Sequence, residues 1–326
     1  MNKSYLIFLF GVLICACAGG SEAPGYGVID LEDAFDNNSE YVNLSKYASS
    51  VEYIPLETNE EANIGDSMEA VIGKDKVYIN FWPYRTICMF DISSGEYLRK
   101  FDRYGRGPGE YLHSFSFAIV DGGNKLIVRD FKKFLIYNSE DSCIHVIHNN
   151  VEQIVHGTQI ISNGHNGAFF LNESRTERLS GSTKPVLREY STLIDSTGVV
   201  SRTLLGLRDD GYSNRSKFFS YNGQVKAINS GRDTIYNLTP ENDISVEYVI
   251  TLGKYENFKK LTPVKDRDYF YEPALGETFE TEKFLLMVGV LPENMLPQIF
   301  TEKYNKHRKS AILYDKKEKK TYALKK

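Results

Sequence analysis

One short pattern recurs five times along the chain: an apolar strand ending in Asp or Asn, a few turn residues, then a second strand. Its copies are Thr86-Ile-Cys-Met-Phe-Asp91, Phe134-Leu-Ile-Tyr-Asn138, Ser191-Thr-Leu-Ile-Asp195, Asp233-Thr-Ile-Tyr-Asn237 and Ser310-Ala-Ile-Leu-Tyr-Asp315. The terminal Asp or Asn can bond its own backbone two residues on and so start the turn. Turn residues such as Ser93-Ser-Gly95 and Ser139-Glu-Asp141 follow, and then closing strands such as Tyr97-Leu-Arg-Lys-Phe101 and Ser245-Val-Glu-Tyr-Val-Ile250. A further strand precedes each copy, for example Lys76-Val-Tyr-Ile79 and Lys125-Leu-Ile-Val128. The anchors at 91, 138, 195, 237 and 315 lie 47, 57, 42 and 78 residues apart. Four-stranded propeller blades recur at about 40 to 50 residues. The expected fold is therefore all-β, a β-propeller of four-stranded blades with a shortened or incomplete last blade; a pair of β-sandwiches is the alternative. Short strands with frequent turns point away from a βαβ fold.

This reading makes positional demands. Phe90, Tyr137, Ile194, Tyr236 and Tyr314 should hold equivalent places in the third strand of successive blades. An insertion is expected around Asn172 to Glu189, and a long excursion from Tyr255 to Tyr304 with a short helix near Glu293 to Lys306. Val51-Glu-Tyr-Ile-Pro-Leu56 reads as an extra strand that either pairs with C-terminal strands or leaves a partly open seam.

The N-terminus carries an address. Lys3 and the apolar run Tyr5 to Ile14 form a signal peptide, too short to span a bilayer, which needs roughly 20 residues. Ile14-Cys-Ala-Cys17 has the form of a bacterial lipobox, with Cys17 as the lipid attachment site; a plain secretory signal with an incidental Cys is the alternative. The domain division is 1–16 signal peptide, 17–44 tether and N-terminal segment, and 45–326 propeller. Cys88 and Cys143 then remain, and they are expected as small hydrophobes within strands rather than as a disulfide scaffold.

Three strings carry a family resemblance: Val51-Glu-Tyr-Ile-Pro-Leu-Glu-Thr58, Met89-Phe-Asp-Ile-Ser-Ser-Gly95, and Gly105-Arg-Gly-Pro-Gly-Glu-Tyr111. With the lipobox, they resemble the 6-bladed β-propeller lipoproteins of Bacteroidota, which are distantly similar to NHL-repeat propellers. The resemblance spans roughly residues 45 to 325 and implies a fold and an envelope address, with no common activity. The C-terminus departs from it, since little sequence remains for a full sixth blade.

The glycine-rich string has its own reading. Gly105, Gly107 and Gly109 permit positive φ and Pro108 fixes its own, so together with Glu110 they form a rigid structural turn between blades. No GK[ST] follows, which excludes a phosphate loop.

No HExxH, GxSxG or EF-hand loop is present. His145 and His148 are three apart in a strand and point to opposite faces, so no metal and no other cofactor is expected. The net charge of -4 argues against a nucleic-acid partner. A more informative pattern is positional. Loops joining second to third strands share one rim of a propeller, and here they hold Trp82, Tyr84, Arg85, Arg129, Arg175 and Arg232. Guanidinium groups and aromatics converging on one rim suit an anionic glycan or a peptide. The expectation is a lipid-anchored binding or scaffolding propeller of the cell envelope, at the outer membrane, whose partners are the membrane through its lipid and a glycan, peptide or envelope protein. The alternative is a propeller hydrolase or lyase with a metal in its channel.

Overall fold

Successive side chains of a strand point to opposite faces, and the near-continuous apolar runs of strands such as Thr86–Asp91 and Lys133–Asn138 therefore give their sheets two apolar faces, so the sheets must stack and the first and last faces of the stack need covers. The computed structural model describes residues 25–36, 42–62, 68–81, 86–114, 116–130, 133–148, 159–162, 169–177, 186–195, 200–206, 217–228, 234–239, 244–255, 274–290 and 309–324. Strand β1 (Gly27–Asp30) and the short helix α1 (Glu32–Asp36) come first. Blade 1 follows as β2 (Met68–Ile72), β3 (Lys76–Phe81), β4 (Thr86–Asp91) and β5 (Tyr97–Phe101). Blade 2 is β6 (Ser116–Val120), β7 (Lys125–Asp130), β8 (Lys133–Asn138) and β9 (Cys143–His148). Blade 3 is β10 (Ile160–Ser162), β11 (Phe169–Glu177), β12 (Val186–Ile194) and β13 (Val200–Gly206). Blade 4 is β14 (Lys217–Tyr221), β15 (Gln224–Ile228), β16 (Thr234–Leu238) and β17 (Ile244–Thr251). Blade 5 is β18 (Ala274–Glu280), β19 (Phe284–Val290), β20 (Lys309–Asp315) and β21 (Lys320–Leu324).

Each blade is an antiparallel meander, and β1 adds to β17 in parallel, giving four four-stranded sheets and one five-stranded sheet. Successive first strands β2, β6, β10, β14 and β18 are neighbours, so they lie innermost around a central channel in a propeller-like arrangement. Five blades are seen among the described residues. The 78-residue gap contains β18 and β19, the first half of blade 5, so the excursion proposed for Tyr255 to Tyr304 is interrupted by two strands. The helix expected near Glu293 to Lys306 lies outside the described residues.

The hairpin repeat holds at the level of single residues. Phe90, Tyr137, Ile194, Tyr236 and Tyr314 all lie in the third strands, each in its own sheet. In blades 1 to 4 the ladder shifts register immediately before this residue. Three anchors make the turn bonds their side chains suit. Asp91 Oδ1 accepts from the Ser93 and Ser94 amides at 2.8 and 2.9 Å, Asn138 Oδ1 from Glu140 and Ser142 at 3.1 and 2.9 Å, and Asp315 Oδ1 from Lys317 and Glu318 at 2.9 and 2.8 Å. The Ser93 hydroxyl and the two serine amides pull the half-buried Asp91 carboxyl down to about 2.

Four apolar clusters fill the contacts between successive blades. Tyr137 packs with Phe101 and Met89 of blade 1, Ile194 with Ile136 of blade 2, Tyr236 against Leu193 of blade 3, and Tyr314 with Ile235 and Ile250 of blade 4. The repeated residue thus faces the preceding blade each time. For Phe90 the place of a preceding blade is taken by the N-terminal segment: Leu56 and Ala62 join Ile79, Phe81, Cys88 and Phe90 in the fifth cluster.

That segment forms a strap. β1 and α1 cover the outer edge of blades 4 and 5, where Ile29, Leu31, Ala34 and Phe35 enter the core and the Thr321 hydroxyl donates to the Asp30 carbonyl at 2.6 Å. Tyr47 then stacks edge-on against Phe284 at 5.5 Å and donates to Asp315 at 2.9 Å, while Lys46 pairs with Asp315 and Glu318. Burial alone would raise the Asp315 carboxyl, but the Glu318 amide, Lys46, Tyr47 and the Lys317 amide outweigh it and hold its pKa near about 2. Farther on, the Glu57 amide donates to the Gly95 carbonyl at 2.9 Å and the Glu57 carboxylate accepts from the Tyr97 amide at 2.9 Å. β1 and α1 lie within the stretch 17–44 read as tether and N-terminal segment, and β1 extends the sheet of blade 4.

Other expectations need correction. Residues 51–56 form no strand and pair with no C-terminal strand; they run against blade 1 without a ladder, and Tyr53 is 90% exposed. Pro55 removes a donor from this stretch, which a paired strand would need. The insertion at Asn172 to Glu189 is largely β-structure, since β11 and β12 each run nine residues in register from Phe169↔Ile194 to Glu177↔Val186. Its polar sequence shows no alternation, and the backbone ladder alone defines it. Both Cys88, buried, and Cys143, half-buried, are free thiols in strands.

Blades 4 and 5 share a buried ionic network. Lys226 Nζ, on a side chain 2% exposed, lies 2.7 Å from both Glu247 and Glu280, whose own exposure is 28% and 1%. Lys316 reaches Glu280 from the other side at 2.6 Å, and both ammonium groups sit over the Tyr221 ring. Removing one partner strands a buried charge, so Lys226→Ala should cost about 3–5 kcal/mol in denaturant unfolding. The strap makes a second demand. At Gly95 φ is +75° and a Cβ would fall 2.1 Å from the Pro55 carbonyl oxygen. Gly95→Ala should lower stability by roughly 1–3 kcal/mol and raise proteolytic cleavage within residues 51–62, measured by urea melts and limited proteolysis.

Candidate functional site

Meander geometry puts the starts of the first strands and the ends of the second strands at one end of the channel. The register confirms the pairing: Glu69 of β2 lies opposite Asn80 of β3, and Ser116 of β6 opposite Arg129 of β7. Polar residues from four blades gather at this end. Glu69 comes from blade 1, Ser116 from blade 2, Gln159 from immediately before β10 in blade 3, and Lys217 from the first position of β14 in blade 4.

These residues are held in place. Ser116 Oγ donates to Glu69 Oε1 at 3.1 Å. Asn80 donates to the Ser114 carbonyl at 2.9 Å and accepts from the Ser114 hydroxyl at 3.0 Å, tying blade 1 to the approach of β6. The Gln159 amide accepts from the Phe218 N–H at 2.7 Å and donates to the Phe218 carbonyl at 3.0 Å, fixing blade 3 to the backbone next to Lys217.

Glu69 is the electrostatic centre of the mouth. Burial pushes its carboxyl up to about 7, against the opposing pull of the Ser116 hydroxyl and the Lys217 ammonium. Blades 1 and 4 are not successive, so the Lys217 field reaches Glu69 across the channel. A carboxylate that titrates near neutrality in a concave polar site is a functional candidate on physical grounds.

The glycine-rich link borders the same end. It runs between β5 and β6 and closes on itself: the Gly107 amide donates to Glu110 Oε2 at 2.7 Å, the Gly105 amide to the Tyr111 carbonyl at 3.0 Å, and the Tyr111 amide to the Arg103 carbonyl at 3.0 Å. Asp130 accepts from the Leu112 and His113 amides at 3.3 and 3.2 Å, and Lys133 donates to the Glu110 carbonyl at 2.6 Å. Positive φ, the reason expected for these glycines, is not what the link uses. Gly105, Gly107 and Gly109 are not among the glycines with positive φ. They serve close approach, since a Cβ on Gly105 would lie 1.9 Å from the Glu110 carboxylate and one on Gly109 2.8 Å from the Cys143 Cβ.

Of the expected rim residues, Trp82, Tyr84, Arg85 and Arg232 lie outside the described residues, as does Cys17. Arg129 and Arg175 are described and neither is in a loop. Arg129 lies within β7 and is only 4% exposed, and Arg175 lies within β11 opposite Arg188. The strands run past the points where polar sequence suggested loops, because neighbouring strands supply backbone partners there. Arg129 is therefore not an exposed guanidinium, and Arg129→Ala would disturb packing as well as charge. Among the described residues no group of three or more His, Cys, Asp or Glu is arranged to hold a metal.

The residues at the mouth were missed because the first strands were missed. Met68-Glu-Ala-Val-Ile72 is short and follows a polar stretch, and it lacks the Asp or Asn anchor that marks the third strands. Counting one further strand upstream of each recognised triplet would have found it.

The raised carboxyl of Glu69 makes stability depend on pH with a definite sign. The folded-state value, about 7, lies above the ordinary 4.5. Its contribution is fully present below about pH 4.5 and is lost as the pH rises through 7. Glu69→Gln keeps the shape without the charge. Between pH 5 and 8 the wild type should lose up to about 3 kcal/mol relative to this variant in urea unfolding. A difference that does not change with pH would contradict the assignment.

The same fold occurs in a protein of Bacteroides fragilis described as exported, with a TM-score of 0.58 at 16% identity over 84% of this chain and 75% of that one. It also occurs in a member of the DUF4221 family from Bacteroides vulgatus, with a TM-score of 0.50 at 14% identity over 82% of this chain and 83% of that one. At these identities the likeness is one of fold. No curated protein matches the sequence. A family model, Domain of unknown function (DUF4934), matches residues 26–326, nearly the whole of the packed propeller including β1, and the chain belongs to that family.

Proposed function

We propose that this protein is a lipid-anchored binding or scaffolding propeller of the cell envelope, held at the outer membrane through Cys17, with its ligand site at the polar mouth of the channel. One observation carries the binding reading: Glu69, Ser116, Gln159 and Lys217 come from four different blades to one end of the channel. Polar groups assembled from separate elements of a rigid scaffold are the usual construction of a ligand site. The finer family reading, a relative of 6-bladed NHL-like propellers with an incomplete ring, is part of the same proposal; the strap would stand where a further blade stands in a complete ring.

The envelope address rests on the lipobox Ile14-Cys-Ala-Cys17 and accords with the exported description of the Bacteroides fragilis neighbour. The ligand is a glycan or peptide fragment of the envelope. Glu69 and Lys217 offer both signs of charge, so the mouth is not restricted to anions.

Two measurements test the proposal. Wild-type protein should fractionate with membranes and be released by detergent, and Cys17→Ala should be soluble or remain unprocessed; equal membrane retention of the variant refutes the anchor. Ligand binding at the mouth should change the fluorescence of Trp82, the only tryptophan, which lies one residue beyond the end of β3.

A further inference from the structure

Two opposite charges stand at the same end of the channel on blades that are not successive: the Lys217 ammonium acts on the Glu69 carboxyl, and among the described residues the two form no ion pair. Among the described residues Glu69 receives a single hydrogen bond, from Ser116, although a carboxylate has about four acceptor sites. Lys217 is half-buried, and among the described residues it makes no ion pair with Glu69 or with any other acid. Both backbones are fixed, Lys217 beside the two hydrogen bonds between Gln159 and Phe218 and Glu69 opposite the Asn80–Ser114 pair.

An anion at this mouth would gain Lys217 but meet the repulsion of Glu69, and a cation would meet the reverse. A molecule bearing both charges satisfies both groups at once. We propose that Glu69 and Lys217 form a two-point clamp for a short peptide with free termini, its amine bound by Glu69 and its carboxylate by Lys217. This inference rests on the mouth being the ligand site and names its ligand class. The two anchored strands bound the distance between the charged groups, so a zwitterion whose charges fall within that reach is favoured over one whose charges do not. A ligand amine also offsets the cost of holding the Glu69 carboxylate ionised in a buried place. Ser116 from β6 and Lys217 from β14 are the groups on neighbouring elements that act on Glu69. Binding should therefore strengthen from pH 6 to about pH 7.5, as Glu69 ionises while a peptide amine, with a pKa of about 8, stays charged.

The test uses the full chain, with calorimetry and Trp82 fluorescence at pH 7.5. The probes are alanyl-alanine with free termini, its N-acetyl form and its C-terminal amide. The free dipeptide should bind, and each cap should weaken it at least tenfold. Glu69→Gln should weaken the free dipeptide about tenfold and leave the N-acetyl form unchanged. Lys217→Met should weaken the free form and leave the amide unchanged, with Lys217→Gln used if the first variant does not fold. Equal binding of free and capped dipeptides, or no binding of any, overturns the clamp. Oligogalacturonate separates the two levels of the argument: if it shifts Trp82 fluorescence while the dipeptides do not, the mouth stands and the clamp falls. If neither ligand acts, both fall.

Discussion

The apolar face that has no neighbouring blade governs this architecture. Four of the five apolar clusters lie between one blade and the next, and each is completed by a residue repeated at the same place in the third strand. Phe90 occupies that place in blade 1, with no blade before it in the chain. Left open, Ile79, Phe81, Cys88 and Phe90 would face water, and the cost of that exposure scales with area. The strap removes the exposure with Leu56 and Ala62, while Tyr47 covers Phe284 on blade 5. It thus closes the seam without a ladder, by side-chain burial and a few hydrogen bonds at turns.

Polar groups are placed where this stacking leaves space for them. Lys226, Glu247, Glu280 and Lys316 neutralise one another between blades 4 and 5, so their burial fixes the relation of those blades without requiring a ligand. Glu69 is different. It is half-buried, touches no cation among the described residues, and its carboxyl is raised toward neutrality by desolvation. One group of charges is paired within the fold, whereas Glu69 and Lys217 act on each other without pairing among the described residues.

Propeller folds carry many unrelated functions, so membership in the family and likeness to the two Bacteroides structures speak to architecture. The proposed function rests instead on the residues at the channel end. The glycine-rich link contributes indirectly: its contacts with Asp130 and Lys133 hold the approach to Ser116, and through it one partner of Glu69.

Much was legible in the chain itself. The Asp and Asn anchors marked the third strands because their side chains act locally, on amides two or three residues away, and local chemistry survives whatever the tertiary context. The same holds for the apolar runs of the second strands. The first strands escaped notice, and with them Glu69 and Lys217, because nothing local distinguishes a short inner strand such as Met68-Glu-Ala-Val-Ile72 from a loop. Arg129 and Arg175 looked like loop residues because polarity was the only guide, whereas backbone pairing with distant strands placed them in the ladder. The role of residues 42–62 was likewise decided by tertiary structure alone. Their apolar residues are sparse and lack a regular period, and only the uncovered faces of blades 1 and 5 tell them where to lie. Sequence determined the repeating unit through short-range hydrogen bonding; the closure of the stack and the placing of Glu69 and Lys217 at one end of the channel depend on how distant strands are arranged, and folding alone decides that.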